Sequence, residues 1–92
     1  MVLNYYHDPG HGWIKVPRQL LLDLRIHDKI SRYSYESGDG MNVFLEEDCD
    51  ASLLLEALKT KGINYTLKSF HSNKSSKIRS YPDYQTGYGV QL

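Results

Sequence analysis

The sequence predicts a small α+β domain of order ββαββαβ, two β-hairpin-plus-helix units and a closing strand, with helices on one face of a mainly antiparallel sheet. Three observations carry this expectation. Two pairs of short alternating segments are each split by a turn cluster, each pair is followed by an apolar stripe at helical spacing, and one more alternating segment follows the second stripe.

In the first unit, Leu3-Asn4-Tyr5-Tyr6-His7 alternates, Asp8-Pro9-Gly10-His11-Gly12 turns, and Trp13-Ile14-Lys15-Val16 returns. Pro17 suits a first helical turn, where no intrahelical N–H bond is lost, and Leu20, Leu21 and Leu24 mark a helix over 17–25. In the second unit, Tyr33-Ser34-Tyr35-Glu36 and Met41 to Glu46 flank the turn Ser37-Gly38-Asp39-Gly40. Asp48 or Asp50 then offers a helix cap, Leu54, Ala57 and Leu58 form the stripe, and Gly62 suits the left-handed end of a helix over 50–61. The alternation of Ile63 to Phe70 predicts the last strand. These elements make one domain over 1–71, and 72–92 reads as a polar loop followed by an aromatic tail.

A chain of 92 residues has room for one core. No apolar run exceeds three residues, as in Leu20-Leu21-Leu22, against the roughly 18–20 a membrane helix needs, so no membrane partner is expected. The N-terminal residues lack the pattern of an export signal and Cys49 is the single cysteine, which together point to the reducing cytoplasm. The formal charge of zero conceals a segregation. Residues 36–56 hold seven acidic and no basic groups, and residues 57–82 hold six basic and no acidic ones. Such asymmetry serves either self-complementation, within the fold or between copies, or the steering of an anionic partner.

Three places could carry chemistry. His7-Asp8-Pro9-Gly10-His11-Gly12-Trp13 gathers two imidazoles and a carboxylate at a hairpin tip. Two histidines are too few for a metal site unless Glu46, Glu47, Asp48 or His71 joins them, and the same residues make a tight turn unaided. Glu46-Glu47-Asp48-Cys49-Asp50 sets four carboxylates at a strand-to-helix junction, where they can cap the helix, bind a cation or act as an acid–base pair. Cys49 has no histidine nearby in sequence and is expected to be a buried thiol. Eight tyrosines and Trp13 lie largely in or beside the strands, where rings either fill the core or stack a base beside Arg32, Lys15 and Lys68. No phosphate-binding glycine loop or zinc-finger spacing is present.

His7-Asp8-Pro9-Gly10-His11-Gly12-Trp13 and Phe44-Leu45-Glu46-Glu47-Asp48-Cys49-Asp50-Ala51, with Lys29 to Tyr35 between them, resemble a group of small proteins carried by bacteriophages, prophages and plasmids. The resemblance spans about residues 5–63. It implies a mobile-element setting and, by that company, a role against a host system; it carries over no catalytic residue.

The expected function is therefore non-enzymatic binding, in the host cytoplasm, of a host protein or a nucleotide-like small molecule. The expected ligand-binding residues are His7, His11, Trp13, Arg32, Tyr33, Tyr35 and Lys68, with no catalytic residue, metal or cofactor assigned. The alternatives are a metal-dependent hydrolase or nuclease using His7, His11 and the acidic junction, and nucleic-acid binding through the basic stretch from Lys59 to Arg79. Homo-oligomerisation, with Tyr81, Tyr84 and Tyr88 reaching a partner, completes the expectation.

Overall fold

The computed structural model describes residues 1–86, so Tyr88 lies outside the described residues. Strands β1 (Val2–His7) and β2 (Gly12–Pro17) form the first hairpin and lead into helix α1 (Arg18–Asp23). Strands β3 (Tyr35–Glu36) and β4 (Asn42–Glu46) form the second and lead into α2 (Ala51–Thr60), after which β5 (Thr66–His71) closes the sheet. The sheet order is β3-β4-β2-β1-β5. Every pairing is antiparallel except that of β1 with β5. Strands β4 and β5 thus run the same way, and parallel strands cannot be joined by a tight turn, which is why a helix intervenes between them.

Alternation along the strands sorts the core. Ile14 and Val16 lie opposite Leu45 and Val43, and with Leu3 they face Leu21 of α1 and Ala51, Leu54 and Leu58 of α2. Both helices therefore pack on one sheet face, as the α+β reading requires. At the end of α2, Gly62 takes φ +70°, letting Ile63 N–H reach the Leu58 carbonyl at 2.9 Å.

Several boundaries differ from the sequence expectation, each for a local reason. Pro17 remains in β2, extended at φ −64° and ψ 139°, and Arg25 turns left-handed at φ 59°, so α1 is shorter than 17–25. Asp50 does not cap α2 with its side chain. Its buried carboxylate instead accepts from Ser31 N–H at 3.0 Å, from Ser31 Oγ at 2.7 Å and from Ser34 Oγ, which ties residues 31–34 into a loop and leaves only Tyr35 and Glu36 as strand. The closing strand begins at Thr66 rather than Ile63 and is exposed along its whole length, being an edge that neither helix covers.

The second sheet face carries Trp13 and Phe44, and the chain after β5 returns to cover it. Ile78 is buried against both rings, and Tyr81 packs on Phe44 with centroids 5.2 Å apart. Beyond this, Asp83 bridges Tyr35, the Pro82 carbonyl accepts from Glu36 N–H at 2.9 Å, and buried Tyr84 donates its hydroxyl to the His27 carbonyl. Residues 72–86 are thus an integral layer, and Tyr84 docks on its own chain rather than being free to reach a partner. Among the described residues no helix is long and apolar enough to cross a membrane.

A buried ion pair anchors this return. Arg18 donates from Nη2 to Glu36 at 2.8 Å, from Nε to the Gly40 carbonyl at 2.7 Å and from Nη1 to the Gln85 carbonyl at 3.0 Å. Glu36 also accepts from Gln85 N–H at 2.8 Å. Removing one member of a buried pair strands the other's charge. We expect Glu36→Ala to destabilise the fold by about 3–5 kcal/mol in urea unfolding, against less than about 1 kcal/mol for removal of an exposed charge.

Candidate functional site

A cleft of about 240 Å³ opens where the first hairpin turn, the 31–35 loop, the β4–α2 junction and the returning chain meet. Trp13 of β2 is its aromatic wall, 1% exposed, with Tyr35 edge-on to it at 6.3 Å and Tyr33, 68% exposed, on the rim. Arg79 stands over the Trp13 ring with its guanidinium carbon 5.3 Å from the centroid. The polar wall is His11, Glu46, Asp48 and Cys49.

Strand pairing places these groups. Trp13 lies opposite Glu46 across β2 and β4, and Glu47 N–H donates to the Gly12 carbonyl at 2.9 Å, so the acidic junction is held beside the first hairpin. Glu46 is buried; one oxygen meets His11 Nδ1 at 3.1 Å and the other accepts from Asp48 N–H at 2.9 Å. A carboxylate only accepts, so His11 Nδ1 carries the proton in this bond. Glu46 N–H is in turn taken by Ser34 Oγ at 3.0 Å, and Ser34 donates to Asp50. Gly12 permits a close approach: a Cβ there would lie 2.1 Å from the Tyr5 hydroxyl oxygen, which crosses it to donate to Glu47. Burial, then this bond, then the surrounding carboxylates, push the Tyr5 phenol up to about 12.

Asp8 holds the aromatic wall in register. Its carboxylate accepts from Gly10 and His11 N–H, from Ser76 N–H at 2.9 Å, and from Arg79 Nε at 2.7 Å and Nη2 at 2.9 Å. The Arg79 bond first, and the Ser76 amide next, hold its carboxyl far below the usual carboxylate range. The turn reading of this motif is therefore what the structure shows for Asp8.

Of the ligand-binding residues expected from sequence, His11, Trp13, Tyr33 and Tyr35 line the cleft, while His7, Arg32 and Lys68 do not. His7 pairs with His71, Nδ1 to Nδ1 at 2.9 Å, and stacks on Tyr5; Lys68 lies over the Phe70 ring on β5. Cys49 is exposed rather than buried, because it stands on the turn before α2. Its thiol is nevertheless pushed up, chiefly by its hydrogen bond to Glu46, which disfavours the nucleophilic thiolate. The cleft residue that sequence reasoning missed is Arg79: it sits in a polar run whose only distinguishing mark is the adjacent Ile78. The indole Nε1–H of Trp13 is buried without an acceptor among the described residues.

Two measurements check these electrostatics. An unfolded Asp carboxyl titrates near about 3.9, so a folded-state value below this makes the Asp8 clamp fully stabilising above that pH and loses it only as pH falls through the folded value. Carboxyl NMR of Asp8 should show it still ionised where free carboxylates are protonated, and Asp8→Asn should speed tryptic cleavage at Arg79 at neutral pH. The Tyr5 shift has the opposite sense: its contribution is present below the unfolded value near 10 and is lost as pH rises through about 12. In Glu47→Gln the phenolate absorbance of Tyr5 should emerge at lower pH.

No family model, curated protein or solved structure matches the chain.

Proposed function

We propose that the protein is a non-enzymatic binding protein of a phage or mobile element that captures a nucleotide-like small molecule in this cleft. The observation that carries the reading is the convergence, in about 240 Å³, of the Trp13, Tyr33 and Tyr35 rings with the carboxylates of Glu46 and Asp48. The Tyr33 and Tyr35 rings offer faces on which a base stacks against the Trp13–Arg79 wall, and the carboxylates accept from the amino and imino groups of its edge. Apolar walls with a few convergent polar groups are the ordinary composition of a small-molecule site.

Basic residues contribute less than the sequence reading supposed. Arg32 and Lys68 lie outside the cleft, and Arg79 has two of its nitrogens committed to Asp8. Recognition accordingly centres on the base rather than on phosphate. The mobile-element setting and the antagonism of a host system rest on the resemblance of the hairpin and junction motifs, and sequestering a host nucleotide is one way such antagonism works. The exposed edge strand β5 is where self-association would form, by strand pairing between copies.

Native mass spectra with cyclic and linear nucleotides, followed by calorimetry, test the proposal. The expected outcome is a retained or added ligand mass, with affinity falling about 10- to 100-fold in Tyr35→Ala, the range for loss of one base–aromatic stack. A wild-type chain that binds no nucleotide would overturn it and direct the search to a host protein by pull-down.

A further inference from the structure

We infer that the acidic side of the cleft is a divalent metal site, with His11, Glu46, Glu47 and Asp48 as the ligand residues and Mn²⁺ or Zn²⁺ as the ions it fits. One donor atom from each of these residues lies within 4.8 Å of all the others. Ligand atoms held tetrahedrally around one ion at about 2.0–2.2 Å stand about 3.3–3.6 Å apart, so the widest pair of donors closes by about an ångström when the ion binds. The backbone that carries them is already fixed by the Glu47 N–H bond to Gly12 and by the Trp13–Glu46 register. The donor set of one imidazole and three carboxylates lies between the nitrogen-rich sites that favour zinc and the oxygen sites that favour manganese.

Three carboxylates gathered this closely repel one another unless a cation joins them. Among the ion pairs of the described residues none brings a lysine or arginine to Glu46, Glu47 or Asp48; the imidazole of His11, the phenol of Tyr5 and the thiol of Cys49 are their side-chain partners. Trp13, 1% exposed, lines the same cleft beside this cluster, opposite Glu46 across β2 and β4, and its Nε1–H is buried with no acceptor among the described residues. The site goes beyond the proposed nucleotide binding and stands without it, although an ion here would turn an acidic cleft into one able to take an anionic group.

The test is calorimetry of the full chain with Mn²⁺ and with Zn²⁺, no nucleotide present, read in parallel by the fluorescence of Trp13, the single tryptophan. The expected result is one ion per chain with a fluorescence change. Asp48→Asn, which alters an exposed side chain, should weaken binding by about tenfold or more. His11→Ala should do the same, and His7→Ala, which breaks the separate His7–His71 pair, should leave it unchanged. Circular dichroism would confirm that each variant folds. The inference is overturned if neither ion binds, if Asp48→Asn binds as the wild type does, or if His7→Ala abolishes uptake.

Discussion

The carboxylate of Asp8 is the constraint on which the layered structure rests. It closes the first hairpin by accepting two amides of its own turn, and it holds the returning chain by accepting the Ser76 amide and both edge nitrogens of Arg79. A short polar segment has little apolar area with which to repay the entropy of being ordered. Residues 72–86 manage it through this clamp at one end, Ile78 and Tyr81 on the Trp13–Phe44 face, and the backbone bonds of Pro82 and Tyr84 at the other. The cleft exists because of that return: without Arg79 above it, Trp13 would form an open aromatic floor rather than a wall.

The charge segregation along the chain resolves differently from the simple pairing of an acidic middle with a basic C-terminal third. Arg79, from the basic third, is bound to Asp8 of the first hairpin, and Glu36, from the acidic middle, to Arg18 of α1. Asp50 is satisfied by serine hydroxyls and Glu46 by an imidazole and an amide. The N-terminal third supplies the ionic partners on both sides, while Glu46, Glu47 and Asp48 stay together as a locally negative corner. That arrangement opposes the binding of a bare phosphate and favours a hydrogen-bond donor or a cation.

Elements whose stability comes from repeating local pattern were legible in the sequence, and those held by single long-range contacts were not. Both hairpins, both helices and the left-handed Gly62 follow from alternation, apolar spacing and turn chemistry. Tyr33 and Ser34 were misread as strand because the conformation of the 31–34 loop depends on Asp50, one of two residues to which sequence spacing offers the helix cap. Half of the site was similarly legible: Trp13 and Tyr35 follow from the strands that carry them and His11 from its turn, while Tyr33 reaches the rim from the loop. Arg79 and the exclusion of His7, Arg32 and Lys68 depend on which sheet face and which edge each strand occupies, information that appears only with the strand order.

The preorganisation of the cleft argues that its polar side is there for more than stability. Asp50 orients Ser34, Ser34 fixes the Glu46 amide, and the Glu46 carboxylate orients His11 while taking the Asp48 amide, so a connected chain of bonds runs from the buried start of α2 to the cleft wall. Such networks hold side chains in one rotamer and are costly where any member is unmet. Yet the chain stops short of satisfying Trp13 Nε1, a donor whose burial without an acceptor is unfavourable and which no described group relieves. A fold selected for stability alone would tolerate a phenylalanine at that position, with no donor to satisfy. The unmet donor at the edge of an otherwise satisfied network marks Trp13 as the member that stability alone does not account for.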